Sequence, residues 1–177
     1  MVDELQVDEI LEEEEDTQKD MYMTFKSGDE YFGISISNVN EIIGMSAITQ
    51  VPDAEDYVRG LINLRGKIIP VIDVRVRFRQ EALPYTDRTC IIVINVKDTV
   101  VGLIVEKIDE VIKIDKNNVI PPPSLNQNVS GSNKYVCGLA KAEDGVKLLL
   151  SPERLIQDED FSTYYDEPNV DEEAEKG

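Results

Sequence analysis

Between Met21 and Ile156 the apolar residues come in short runs or alternate with polar ones, which is the period of strands rather than of helices. Y-M-T-F-K (Tyr22–Lys26) and Y-F-G-I-S-I-S (Tyr31–Ser37) flank Ser27-Gly28-Asp29-Glu30, and C-I-I-V-I-N-V (Cys90–Val96) and V-V-G-L-I-V (Val100–Val105) flank Lys97-Asp98. Each pair predicts two strands joined by a tight turn. Val58, Leu61, Ile62 and Leu64 lead into Arg65-Gly66-Lys67, and Ile68, Ile69, Val71 and Ile72 lead out, so a third such unit is expected here. A late strand, K-L-L-L (Lys147–Leu150), runs into S-P-E-R-L-I. There Ser151 caps a short helix with Pro152 in its first turn, and Asp73 caps V-R-V-R-F in the same manner. Short strands at this spacing predict a barrel or a sandwich.

The halves of this body align with each other. F-G-I-S-I-S-N-V-N-E-I-I (Phe32–Ile43) matches V-G-L-I-V-E-K-I-D-E-V-I (Val101–Ile112) without a gap, and Y-V-R-G-L (Tyr57–Leu61) falls on Y-V-C-G-L (Tyr135–Leu139) after an insertion. One further residue of offset puts Gly66 on Gly145 and sets Arg65 opposite Asp144. The matching halves run over about 32–73 and 101–152. A unit of about 60–70 residues is marginal alone, so two similar small barrels packed side by side, with a groove between them, are the expected architecture. Gly33 and Gly102 sit inside strand patterns and suggest bulges or close backbone approach. A cation present in one half only suits a contact outside the fold; the other reading of Arg65 is a turn arginine satisfied by a nearby carboxylate.

Composition narrows the chemistry. The chain has 177 residues and a formal net charge of -18, carried mostly at its ends: residues 1–20 hold ten acids and one base, and residues 157–177 nine acids and one base. Both stretches are expected to be disordered acidic arms flanking a nearly neutral body, 21–156. Nucleic acid is disfavoured as a ligand, because binding it requires Lys and Arg against phosphates. No apolar run is long enough for a membrane helix, and the acidic N-terminus is unlike a signal peptide. The chain contains no histidine and two cysteines, Cys90 and Cys137, both in apolar surroundings and expected to be buried free thiols. No catalytic site, metal site, cofactor or small-molecule substrate is expected. Nor is Gly60–Asp73 a phosphate-binding loop, since five residues separate Gly60 from Gly66 and Ile68 stands where the magnesium-binding hydroxyl would be.

V-x-E-I-I (Val39–Ile43), I-T-x-V-P (Ile48–Pro52), Y-V-R-G-L-I-N-L-R-G-K-I-I-P-V-I-D (Tyr57–Asp73) and V-G-L-I-V (Val101–Val105) resemble the CheW family of chemotaxis coupling proteins, over the whole body 21–156. The resemblance implies a mainly β fold of two five-stranded SH3-like barrels with short helices. It also implies a non-catalytic cytoplasmic adaptor recruited to membrane-associated receptor arrays. One surface would pair with the regulatory domain of the histidine kinase CheA, and the groove between the barrels would take the hairpin tip of a chemoreceptor. An adaptor for a related kinase system controlling motility or development is the alternative.

Carried over by position, Val39, Glu41 and Arg65 match family positions for receptor coupling and kinase control, and Gly60, Gly102 and Gly138 match glycines where bulk disturbs coupling. Ile36, Val39, Ile43 and Val105 are the expected apolar groove. Each has a plainer reading: Val39 as core, Glu41 as a solvated acid with a twin in Glu110, and the glycines as backbone requirements. The chain departs from the family at Ser151, where Asp is common, and in an N-terminal acidic arm longer than the family core needs; the second half's insertion Ser124–Lys134, after Pro121-Pro122-Pro123, is expected to be a mobile loop.

Overall fold

Strands dominate because the alternating runs have one face each to bury and turn residues between them. In the computed structural model, which describes residues 19–122, 134–143 and 145–156, the order is β1 (Met21–Ser27), β2 (Glu30–Ser35), a 3-10 turn (Ile36–Asn38), β3 (Val39–Gly44), β4 (Val58–Leu64), β5 (Lys67–Asp73) and α1 (Val74–Arg77). There follow β6 (Cys90–Val96), β7 (Thr99–Val105), β8 (Lys107–Lys113), a second 3-10 turn (Lys116–Asn118), β9 (Val119–Ile120), β10 (Val136–Ala142), β11 (Gly145–Leu150) and α2 (Pro152–Leu155). The acidic stretches 1–18 and 157–177, the loop 123–133 and Asp144 lie outside the described residues, and with them the expectations of disorder and mobility.

The architecture is mainly β, as expected, with two similar mixed sheets and single-turn helices. The first sheet has the order β8-β1-β2-β11-β10-β9 and the second β3-β6-β7-β5-β4. Dropping the two-residue β9, the orders correspond strand for strand: β1-β2 plays the part of β6-β7, β8 of β3, and β10-β11 of β4-β5. Each sheet therefore takes its central hairpin from one half of the chain and its flanking strands from the other. The halves are not separate barrels. The chain crosses between sheets at Ile36–Asn38, where Ser35 Oγ accepts from the Ser37 N–H at 3.3 Å, and again at Glu106.

Registers refine the repeat. The ladder β4–β5 pairs Val58 with Ile72, slips at a bulge, and continues from Gly60–Val71 to Leu64–Lys67; β10–β11 pairs Val136 with Leu150, slips, and continues from Gly138–Leu149 to Ala142–Gly145. One constant offset carries every pair of the first ladder onto the second and carries the cap Asp73 onto the cap Ser151. The extra residue of offset read from the sequence is absent, so the counterpart of Arg65 is Glu143, not Asp144. The charge contrast between the halves survives this correction.

Packing joins the sheets. Met23, Phe25, Phe32 and Ile34 of the first sheet and Ile72, Ile92, Ile94 and Leu103 of the second form one buried cluster. Phe25, Phe32, Phe78 and Tyr135 run through it with ring centroids 5.8, 4.8 and 5.7 Å apart. The opposite faces carry smaller clusters, and these differ. The second sheet has Ile62, Ile69 and Val93 where the first has Ala140, Lys147 and Thr24. Lys147 is 2 % exposed, its Nζ 3.5 Å from Asp109 and over the Tyr31 ring. One cysteine departs from expectation: Cys90 is partly buried, but Cys137 is exposed, because its neighbours Val136 and Gly138 take the buried face of β10.

Gly102 lies where β7 is pinched: a Cβ there would sit 2.7 Å from both Ile91 Cγ2 and Val71 Cγ1, whereas one on Gly44 would meet nothing within 4 Å. Gly102→Ala is therefore expected to lower unfolding free energy by about 1–3 kcal/mol, as overpacking does. Gly44→Ala should change it by less than about 0.5 kcal/mol, the range of surface substitutions. Urea denaturation of the two variants beside the parent measures both.

Candidate functional site

The site begins with a bulge and a turn. In β3, Val39 pairs with Ile94 and Glu41 with Val93, so one residue is extra between them. A bulge turns a strand's faces over. Val39 accordingly packs with the core between the sheets, and Ile43 with the cluster on the other face of the second sheet. Between β4 and β5, Arg65 and Gly66 both take positive φ, 52° and 86°, the conformation that matches a hairpin's twist. The Gly66 N–H donates to Asn63 Oδ1 at 2.8 Å, which fixes the turn. Arg65 thus stands out from the hairpin tip and pairs with Glu41, its side chain 74% exposed against 27% for the glutamate.

β3 and β4 are the two edge strands of the second sheet, so this pair links opposite edges of one sheet. The turn arginine is satisfied by a carboxylate, as one of its two sequence readings held. At that exposure the guanidinium also keeps donors turned to solvent, which leaves the other reading open.

The remaining expected site residues divide. Ile36 and Val39 are half-buried beside the core between the sheets. Val105 is 2% exposed within that core and cannot be a groove residue as expected, because the end of β7 is covered by both sheets. Ile43 lies on the other side of the sheet, so Ile36, Val39, Ile43 and Val105 do not form one surface. The glycines serve the backbone. A Cβ on Gly60, at φ +147°, would come within 2.1 Å of the Thr49 carbonyl oxygen; one on Gly138 would come within 2.8 Å of Val119 Cγ1.

Sequence reasoning missed the exposed apolar residues. Ile42 and Val111 are 42% and 47% exposed, and Ile68 and Val146 are 49% and 55%. They occupy matching places in the two halves. The gapless alignment of Phe32–Ile43 with Val101–Ile112 already set Ile42 on Val111, so that signal was present. Arg77 was missed too: its guanidinium lies 3.9 Å from the Tyr57 ring centroid, and its Nε donates to the Leu155 carbonyl at 3.1 Å, joining α1 to α2. Arg75 binds Glu106 at 2.6 Å where the chain crosses from β7 to β8. The cap Asp73 accepts from the Tyr85 hydroxyl at 3.0 Å, with Arg59 Nε 3.8 Å away. Burial, and then the Asp73 carboxylate, push the Tyr85 phenol up to about 12.

Among the described residues no group of His, Cys, Asp and Glu could hold a metal ion, and no helix is long and apolar enough to cross a membrane.

A family model described as a CheW-like domain matches residues 21–160. The chain is 32% identical over 141 residues to the chemotaxis protein CheW of Klebsiella aerogenes, covering 80% of this chain and 84% of that one. It is 29% identical over 136 residues to CheW of Helicobacter pylori, covering 77% and 81%. Among solved structures, the scaffolding protein TtCheW from Thermoanaerobacter tengcongensis superposes with a TM-score of 0.72 at 32% identity, covering 78% of this chain and 93% of that chain.

Two measurements bear on the site's energetics. Arg65→Ala should change unfolding free energy by less than about 1 kcal/mol, the scale of an exposed ion pair. The phenol of Tyr85 holds its proton more tightly folded than unfolded, where tyrosine titrates near 10. Its contribution to stability is thus complete below about pH 10 and is lost as pH rises through about 12. Tyr85→Phe should flatten that part of the stability-against-pH curve relative to the parent.

Proposed function

The chain belongs to the CheW family, and on that premise we propose that it is a non-catalytic adaptor that couples chemoreceptors to the histidine kinase CheA. The match over 21–160 carries this reading. The exposed Arg65 on the second sheet supports it, because a guanidinium held at a rigid tip can form charge-assisted bonds to a partner without unfolding anything. The adaptor holds the receptor's hairpin tip and the kinase's regulatory domain at once, so a ligand-dependent shift in the receptor biases the kinase between states. Val39 and Ile36 act from beneath, by fixing β3 against the core between the sheets, and Glu41 orients Arg65. The glycines Gly60, Gly102 and Gly138 act by keeping the strands in register. Ile42 and Ile68, next to Glu41 and Lys67, are the apolar residues available to a partner on this sheet. The protein reaches the membrane through its receptors, without a spanning helix in its described part.

Reconstitution with receptor-containing membranes and CheA tests this. Arg65→Ala should stay folded and reduce receptor control of kinase phosphorylation at least tenfold. The double exchange Glu41→Arg with Arg65→Glu, which restores the internal pair, should not restore control, because the charge offered to the partner is reversed. Full control in Arg65→Ala would end the assignment of Arg65 to the coupling surface. Recovery in the double exchange would reduce its part to positioning β3 and the hairpin.

A further inference from the structure

The two sheets are matched strand for strand but are closed differently. In the second, Glu41 of β3 holds the guanidinium of Arg65 from the β4–β5 turn. The matching positions in the first are Glu110 of β8 and Glu143 of the β10–β11 turn. There the molecule has a cleft of about 640 Å³, lined by these two carboxylates, by Lys113 and Lys141, and by Ile112 and Ile114. Among the described residues neither carboxylate makes an ion pair.

The first sheet is also filled differently from the second: Ala140 stands where the other sheet has Ile62, and Lys147, in the place of Ile69, is held by Asp109 and Tyr31. The wall is held firmly: the buried Thr24 hydroxyl donates to the Glu110 carbonyl at 2.8 Å, and Thr24 Oγ1 accepts from the Glu110 N–H at 3.1 Å.

We propose that this cleft is a docking site for an arginine side chain of a partner protein, its guanidinium set between Glu110 and Glu143 as that of Arg65 is set on Glu41. The planar fork of a guanidinium can bond two carboxylates from one position, which the point charge of a lysine does less well. The alkyl stem would lie along Ile112 and Ile114. Lys113 and Lys141 favour an acidic residue next to the arginine, so the element recognised is an Arg-Glu or Arg-Asp pair on a partner's surface. The same lysines make the site a poor one for a bare cation, and the two glutamates make it a poor one for nucleic acid. The inference does not rest on the coupling role, since its probe requires neither kinase nor receptor.

The test is an NMR titration of the isotope-labelled full chain with a blocked Arg-Glu dipeptide, beside the Lys-Glu analogue. Saturable shifts are expected at the amides of Glu110, Lys113, Lys141 and Glu143, with at least tenfold weaker binding of the lysine analogue. Glu110→Gln with Glu143→Gln should weaken binding at least tenfold. Glu143→Arg should do the same by supplying the guanidinium internally, and its otherwise unchanged spectrum would show the fold intact. Absence of saturable shifts in this cluster overturns the proposal. So do shifts confined to Glu41 and Arg65, or parental affinity in either variant.

Discussion

The structure depends on the exchange of strands between its sheets. Because β1–β2 forms the centre of a sheet whose flanks come from the second half of the chain, and β6–β7 the reverse, neither half can complete a sheet without the other. The buried cluster between the sheets is the physical expression of that exchange. It joins Phe25 and Phe32 to Ile92, Ile94 and Leu103, with Phe78 and Tyr135 continuing the aromatic run. Each such side chain contributes about 1.5–3 kcal/mol by leaving water. Separating the sheets would expose all of them together, so the two sheets are stable only as one packed unit.

On this shared frame the halves have diverged in a consistent direction. Bulges and caps recur: Val39–Glu41 mirrors Ile108–Glu110, and Asp73 mirrors Ser151. What changed is the filling and the rim. The second sheet is filled by Ile62, Ile69 and Val93 and closed by Glu41 with Arg65. The first has Ala140, Lys147 and Thr24 inside, and two glutamates at its mouth. The two edges are equivalent in position, and a few substitutions rearranged their charges: Glu41 holds Arg65 on one, while Glu110 and Glu143 line the other together with Lys113 and Lys141.

Much of this was legible beforehand. Alternation placed the strands, because one face of each is buried, and the caps at Asp73 and Ser151 followed from short polar residues before helical turns. The repeat was legible as well, since Gly33 and Gly102 each face a large side chain from a parallel neighbour, Leu149 and Val71. The strand exchange was not, because alternation says which residues are buried and nothing about which half buries them. Val105 failed as a groove residue for that reason: its burial comes from strands far away in sequence. The one-residue slip that set Arg65 against Asp144 arose from aligning glycines, although Gly66 and Gly145 serve different places in their turns. The pairing of Arg65 with Glu41 was out of reach, because it joins two edges of a sheet whose order was unknown.

The site also separates energies that elsewhere in the protein are combined. The pair between Lys147 and Asp109 has a lysine removed from water, where burial makes its charge costly to disturb. Such a pair cannot be opened by a neighbour at small cost. Arg65 with Glu41 is the opposite case. Water reaches most of the arginine, the pair adds little to stability, and the backbone that presents it is fixed by Asn63 and the turn instead. Opening this pair therefore costs the fold little, and the guanidinium stands exposed at the edge of a sheet whose backbone does not depend on it.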